Sequence, residues 1–530
     1  MNRFNNIHLK HVLFAASMTL GLAPFAHAVD GNGVGEDAEQ FDTSWPSYNN
    51  DYASQRFSML NEIDAKNVAG LKEICRLELS DGGSLQSGPI VVDGTLYVTT
   101  PLDTLAVDPT NCKTIWKVTR KPVAHMPFVV NRGAAYADGR IIRGTPDGHL
   151  LALDAKTGEV LWDNQFTDTS YGEFPSGAPV AWQGIVYAGV TGSEWGARGR
   201  VVALDVRTGR ELWRFNTIPR GKEVGAETWK KPDSTRIGGG GVWSSFTVDL
   251  RDGELFVSVG NPNQDFVPDT RPGDNLFTNS LVVLDARMGS LKWWYQAVKH
   301  DAWDYDLASP AVLYQSKADF RDLVAVAGKD GYLHGVDRVT HKLLFKTATT
   351  TQYKEAAAPT EKGARHCPGI MGGTQWNGPA YDVVNHQLMV GAVDWCYVSS
   401  RTGPDFVRNA VRYGGKSIPA PGEKATGWIT SMDADTGAVK WRYHTEAPVV
   451  SAITPTAGGI TFAGDTGGNF LALDSKTGEV LMAKKLDGAL GGGIVTYAAK
   501  GKQFVAAVTG NISRVTFGGA GNPSLVLFGL

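Results

Sequence analysis

The chain has 530 residues, a formal net charge of −3, and 63 glycines, 15 tryptophans, 16 tyrosines and 21 phenylalanines. No block of lysine and arginine interrupts this near balance, which argues against a nucleic-acid-binding surface. Glycine at about 12 %, against a usual ~7 %, together with so many rings, describes a chain of short strands and tight turns.

Residues 1–28 read as a secretory signal: Arg3 and Lys10 at the start, an apolar run over 12–25, and the small-residue pattern Ala26-His27-Ala28. The run is shorter than the roughly 20 apolar residues that cross a bilayer, and no later segment qualifies. Residues 29–530 are therefore expected as one exported, unanchored body. The four cysteines, Cys75, Cys112, Cys367 and Cys396, suit an oxidising compartment. They permit two disulfides in three connectivities, of which Cys75–Cys112 and Cys367–Cys396 join cysteines near in sequence. No C-x-x-C-H occurs, so no c-type haem is attached.

From residue 107 onward one phrase repeats. "LDAKTGEVLW" (153–162), "LDVRTGRELW" (204–213), "MDADTGAVKW" (432–441) and "LDSKTGEVLM" (473–482) are nearly interchangeable. "VDPTNCKTIW", "LDARMGSLKW" and "VDRVTHKLLF" are weaker copies, and "YDVVNHQLMV" (381–390) the most worn. The aspartates fall at 108, 154, 205, 285, 337, 382, 433 and 474. Each copy reads as a strand, an aspartate bonding the backbone ahead of it, a Thr-Gly turn, and a strand carrying Trp. Most spacings, at about 41–52 residues, match a four-stranded propeller blade, and the longer 205–285 gap holds an insertion. The expected fold is all-β, a single eight-bladed propeller with the tryptophans wedged between blades.

Residues 300–306, "HDAWDYD", are too acidic for a core strand and too aromatic for a solvated tail. If extended, period-two alternation places Asp304 and Asp306 on one face and Trp303 and Tyr305 on the other. Two carboxylates aimed at one point need a proton or a cation between them, although alone they would equally suit turn caps. Glu194 in "GVTGSEWG" and Asn261 in "VSVGNPNQD" likewise follow apolar strands. Glu, Asn and Asp without His or Cys form a hard oxygen set suited to a calcium-like cation. "IGGGGVWSSF" (237–246) bares backbone ahead of Trp243, as a flat ligand would require, and Arg132 and Lys329 are cations useful toward an anion.

The motifs "VVNRGAAYADG", "GSEWGARGRVVALD", "CPGIMGGTQWNG" and the ordered series GNP…RPGDN…HDxWD resemble the pyrroloquinoline-quinone (PQQ) dependent methanol and alcohol dehydrogenases, over nearly the whole chain after residue 45. The resemblance implies that Glu194, Asn261 and Asp304 bind a metal touching the quinone, and that Asp304 is the general base. It makes Trp243 the ring on which PQQ lies and pairs Arg132 and Lys329 with its oxygens. Ser176, Thr191, Gly192 and Ser193 would bond its carboxylates. Gln86 and Gln375 fall at further cofactor positions, where methanol dehydrogenases carry Asn in place of Gln375. Cys367–Cys396 corresponds to a structural disulfide of the family.

Asp306 stands where lanthanide-using relatives carry an extra acid, so the metal is expected to be Ca2+ or a lanthanide. Two departures imply a roomier pocket and an alcohol larger than methanol: Met126 and Pro127 where a vicinal cysteine pair is usual, and Val450 in place of an active-site Trp. The implied enzyme is periplasmic and passes electrons to a soluble cytochrome c. Oxidation of a sugar, polyol or aldehyde through the same cofactor remains open, as does a propeller scaffold that only binds proteins.

Overall fold

The computed structural model describes residues 43–79, 84–512, 517 and 521–530. The secretory segment 1–28 lies outside them. Nine four-stranded antiparallel sheets follow one another, and a short parallel pair, Ser84–Gly88 with Val130–Gly133, accompanies them. Seven sheets are up-and-down units; the third comprises Val180–Trp182, Ile185–Val190, Arg200–Asp205 and Glu211–Asn216. In another, the three C-terminal strands Ala489–Ala499, Lys502–Gly510 and Ser524–Gly529 take the N-terminal strand Lys72–Glu78 as their fourth, with Lys72 opposite Gly529. The ninth sheet (Tyr353–Lys354, Ala364–Cys367, Tyr397–Arg401, Gly415–Pro419) is an elaboration interleaved with the Gln387–Asp394 and Thr426–Asp433 strands. These are propeller-type blades in an all-β chain.

The repeated phrase is the turn between third and fourth strands. Asp154 Oδ1 accepts the N–H of Lys156 (2.9 Å) and Thr157 (2.8 Å) and the Thr157 hydroxyl (3.0 Å), and Asp205, Asp433 and Asp474 repeat the pattern. Gly158 turns the chain at φ 76°, a region glycine enters without strain. The Trp of each unit covers the turn of the next sheet. In three units the indole N–H donates to the residue after that sheet's aspartate, Trp116 to Ala155 (3.0 Å), Trp162 to Val206 (3.0 Å) and Trp441 to Ser475 (3.1 Å), whereas the buried Trp213 indole has no partner among the described residues. The ring leaves no room for a side chain, since a Cβ on Gly209 would sit 2.8 Å from Trp162. In the two turns lacking glycine, Cys112 takes φ 60° and His341 φ 58°, the latter stacking on Trp293 at 4.5 Å. The wedge expectation therefore holds, with a hydrogen bond added.

One repeat is not a repeat. Asp382 ends the first strand of its sheet (Ala380–Asp382), and the third-to-fourth turn of that same sheet belongs to Asp433. Asp382 resembles the others because it also bonds the N–H groups of Val384 (2.9 Å) and Asn385 (3.0 Å), as any aspartate in such a turn does. The phrase thus marks seven sheets, and the sheet that Lys72–Glu78 shares with the three C-terminal strands lacks it.

Apolar clusters fill the spaces between adjacent sheets. One joins Val180, Tyr187 and Val201 of the third sheet to Val248, Leu255 and Val282 of the fourth. Antiparallel alternation then sorts the connections. First-to-second and third-to-fourth turns lie along one edge, while second-to-third loops and the links between sheets lie along the other. Every candidate site residue belongs to the second group.

Candidate active site

Asp301 shapes "HDAWDYD". Its Oδ1 accepts the Trp303 N–H (3.0 Å), and its Oδ2 accepts the Tyr305 N–H (2.8 Å) and Asn279 Nδ2 (3.2 Å). The segment is not a strand, yet its side chains do alternate. Trp303 and Tyr305 pack with Ala302 and Ala364, while Asp304 and Asp306 face a cavity of about 410 Å³. Asp304 sits at φ 62°, a conformation side-chain-bearing residues rarely hold and one that accompanies functional loops.

Lys329, between the second and third strands of the next sheet, lies 3.2 Å from both oxygens of Asp304 and 2.6 Å from Asp306 Oδ2. Asp306 Oδ1 also accepts the Asn261 N–H (2.9 Å) and the Trp243 indole (3.3 Å). It therefore stands outside the group of mutually close carboxylates, which is Glu194, Asp265 and Asp304, with one oxygen of each within 4.8 Å of the others. The metal role expected for Asp306 finds it engaged by a lysine and two N–H donors. Asp265, unremarked in the sequence, takes a place in the cluster instead. Nothing in the spacing of "GNPNQD" marked it, because a loop has no period that says where a side chain points.

The electrostatics are those of a site short of positive charge. Burial raises Asp304 well above the usual carboxylate range, with Lys329 opposing and Asp306, Asp265 and Glu194 adding to the rise. Burial and then Asp306 push Glu194 up to about 7. Burial alone would lower the Lys329 ammonium, but Asp304, Asp306 and Glu194 outweigh it and hold it well above the ordinary lysine value. Asn261 is 0 % exposed, and its Oδ1 has no hydrogen-bond partner among the described residues. Several buried acids, one lysine and an orphaned amide oxygen fit a hard cation.

The same cavity fits a planar anion. Trp243 forms one face of it, with the Arg132 guanidinium 4.9 Å from its ring centroid and 5.1 Å from that of Trp376. Arg132 Nη1 donates to Ser176 Oγ and to the Trp243 carbonyl, both at 2.9 Å, while its buried Nε has no acceptor among the described residues. Gln86, Ser176, Thr191, Ser193 and Gln375 also line the cavity. Gln86 Nε2 donates to Ser84 Oγ (2.9 Å), leaving its Oε1 unpartnered among the described residues, and Gln375 Nε2 donates to the Gly372 carbonyl (3.0 Å). Gly192 and Asn261 lie behind the surface rather than on it. At φ 116°, Gly192 passes so close to the Gly172 carbonyl that a Cβ would sit 2.0 Å away.

The glycine tract does not bare the cavity wall. A Cβ on Gly239 would lie 2.5 Å from the Asn263 nitrogen and 2.6 Å from Pro262 Cα, so this backbone packs against the Asn261 loop. Of the three departures, Met126 is half-buried and not part of the cavity lining. Pro127 lines the cavity, whereas Val450 is buried in an apolar cluster with Trp376. The walls are instead aromatic: Phe128, Phe174 and Trp195 meet with centroids 5.4–6.2 Å apart, joined by Trp376, Tyr413 and Phe517. Ring positions scattered over distant loops carried no sequence pattern that could have shown this. Both disulfides form, Cys75–Cys112 and Cys367–Cys396, the latter tying the base of the loop that carries Gln375 and Trp376.

Residues 45–351 match the family model described as "Glucose/ethanol/alcohol dehydrogenase, beta-propeller domain". Residues 425–517 match that of "Outer membrane protein assembly factor BamB", a stretch holding none of the residues named as ligand-binding above. The chain is 30 % identical to the "Alcohol dehydrogenase (quinone), dehydrogenase subunit" of Gluconacetobacter polyoxogenes, over 93 % of this chain and 76 % of that protein. It is 29 % identical to the "Lanthanide-dependent methanol dehydrogenase" of Methylacidiphilum fumariolicum (strain SolV), over 88 % of this chain and 84 % of that one. The solved structure of a "Europium-containing methanol dehydrogenase" superposes with a TM-score of 0.85 at 26 % identity, covering 93 % of this chain and 100 % of the other. Kinship and cavity chemistry agree: the chain belongs to the PQQ-dependent alcohol and methanol dehydrogenase family and is an enzyme that oxidises alcohols with that cofactor.

Proposed function

We propose that the chain is an exported quinoprotein that oxidises alcohols larger than methanol, aromatic ones included, with Asp304 as base. The observation that carries this reading is the placement of Asp304, buried at the cavity floor, clasped by Lys329 and faced by a wall of rings. The residues would divide the work as follows. Trp243 offers a flat face to PQQ; Arg132 and Lys329 meet its negative oxygens; Ser176, Thr191, Ser193, Gln86 and Gln375 bond its rim, with Gly192 shaping the loop. Glu194, Asn261 and Asp304 hold the cation, a Ca2+ or a lanthanide, with Asp306 beside it paired to Lys329. When bound, the pair supplies a two-electron acceptor and a Lewis acid.

The protein's own part is position and proton transfer. Asp304 accepts the hydroxyl proton of the alcohol. Lys329 keeps that carboxylate oriented and offers positive charge where negative charge develops. Phe128, Phe174 and Trp195 exclude water and give an apolar substituent something to pack on. The four-stranded units support closure into one eight-bladed ring over residues 29–530, with the strand supplied by the chain's start completing the last blade. The secretory pattern of residues 1–28 and the two disulfides support a periplasmic location. Among the described residues no helix is long and apolar enough to cross a membrane. The absence of a haem-attachment motif supports an external acceptor such as a soluble cytochrome c.

The test is a substrate panel on PQQ-loaded protein with Ca2+ and La3+ in parallel. The reading expects kcat/KM for benzyl alcohol and longer primary alcohols above that for methanol. A clear methanol preference would refute the size argument, and full activity in Asp304→Ala would refute the base.

A further inference from the structure

The loop that supplies Asn261 supplies a second oxygen ligand four residues on. Asn261 Nδ2 donates to Asp265 Oδ1, which fixes that carboxylate beside the amide. Asp265 is 1 % exposed, and its other oxygen, Oδ2, has no hydrogen-bond partner among the described residues. The same is true of Asn261 Oδ1, on a side chain that also reaches Glu194. Arg271 is the nearest cation, but it gives its donors to the carbonyls of Asn263, Gln264, Asp265 and Asp301 and to Asn275 Oδ1. One oxygen each of Glu194, Asp265 and Asp304 lies within 4.8 Å of the others, close enough to share an ion whose bonds are about 2.4 Å long, within the calcium range. Two unpartnered buried oxygens thus belong to a loop whose Asp265 shares a cluster with two other carboxylates.

We propose that Asp265 is a further ligand of the bound cation, so that Glu194, Asp265 and Asp304 supply three carboxylates and the site prefers a trivalent hard ion. This rests on the cation site proposed above and adds to it a residue and a charge count. Lys329 and Asp306 neutralise each other as a pair. Three remaining carboxylates then balance a trivalent ion and leave a divalent one over-compensated by a full negative charge.

Tb3+ titrated into the purified protein, with and without PQQ, reads this directly. Its luminescence is sensitised by nearby tryptophan, and lifetimes in H2O and D2O count the waters on the ion. Asp265→Ala is expected to add one or two bound waters, to weaken Tb3+ binding at least tenfold, and to weaken Ca2+ binding less. Asp265→Asn, which keeps a neutral oxygen and the fold, is expected to fall between. Wild-type hydration and affinity in both variants, with Tb3+ still bound, would remove Asp265 from the site while leaving the cation reading intact. Failure of the wild-type protein to bind either Tb3+ or Ca2+ would overturn both.

Discussion

Replacing Lys329 by Met tests the charge balance of the site without altering its shape much. The ammonium lies 3.2 Å from Asp304 and 2.6 Å from Asp306, with side chains 11 %, 6 % and 4 % exposed. Removing one partner of a buried ion pair destabilises by about 3–5 kcal/mol, because the other is left charged and desolvated. Unfolding entropy of about 2.1 cal/mol/K per residue over residues 41–530 makes about 1 kcal/mol per degree. The metal-free variant should therefore melt about 3–5 °C below wild type at pH 7.5. The deficit has a direction in pH. Asp304 is already raised above its unfolded value by burial, against the opposing pull of Lys329. A group raised in this way contributes stability below its unfolded value and loses it as pH climbs through the folded one. Without Lys329 the rise is larger, so the deficit should shrink on acidification, when the carboxylates take up protons. Scanning calorimetry in chelator at pH 5 and pH 7.5 measures both. A variant within about 1 °C of wild type at pH 7.5, or a deficit that widens in acid, would refute the account.

Other consequences follow from the same geometry. Asp304→Asn keeps an oxygen for the cation but loses the proton acceptor, so kcat should fall by about 10²–10⁴ while cofactor absorbance is retained. In chelator, Glu194 at about 7 against an ordinary 4.5 binds its proton more tightly when folded. Stability should therefore decline as pH rises between those values, and Glu194→Gln should flatten the decline in a calorimetric series. Gly209→Ala drives a methyl to 2.8 Å from the Trp162 ring at φ 68°, and should destabilise by about 1–3 kcal/mol in urea denaturation with the active site unchanged.

The sequence made the blades legible because the turn carries its own chemistry. An aspartate that bonds two N–H groups and a glycine under a tryptophan are local demands, repeated in the clearest copies of the unit. That same locality misled at Asp382, where the turn chemistry is right and the place in the sheet is wrong. In the site, the side chains of "HDAWDYD" alternate without a strand, because Asp301 holds the N–H groups of Trp303 and Tyr305 and Asp304 between them turns at φ 62°. Asp265 and the aromatic wall of Phe128, Phe174 and Trp195 were illegible, since they meet only after separate sheets have stacked. Glycines 238–241 were read as room for a ligand and instead serve one backbone lying against another.

The division of the molecule into two edges explains why the repeat and the chemistry have evolved apart within one chain. Turns between third and fourth strands are held by the tryptophan of the neighbouring sheet, so change there disturbs the packing of two units at once. Loops at the opposite edge repeat no such contact from sheet to sheet, and their sequences differ. One brings Glu194, the next Asn261 with Asp265, the next Lys329, and the link between the last two brings Asp304 and Asp306. Each loop contributes one or two charged or polar groups that would be unstable alone in a dry cavity. Only their convergence, and the cation and anion that answer it, makes the set tenable. A site assembled in this way should tolerate exchange of single loop residues that alter which ion or alcohol fits, as long as the opposite edge keeps the sheets in register.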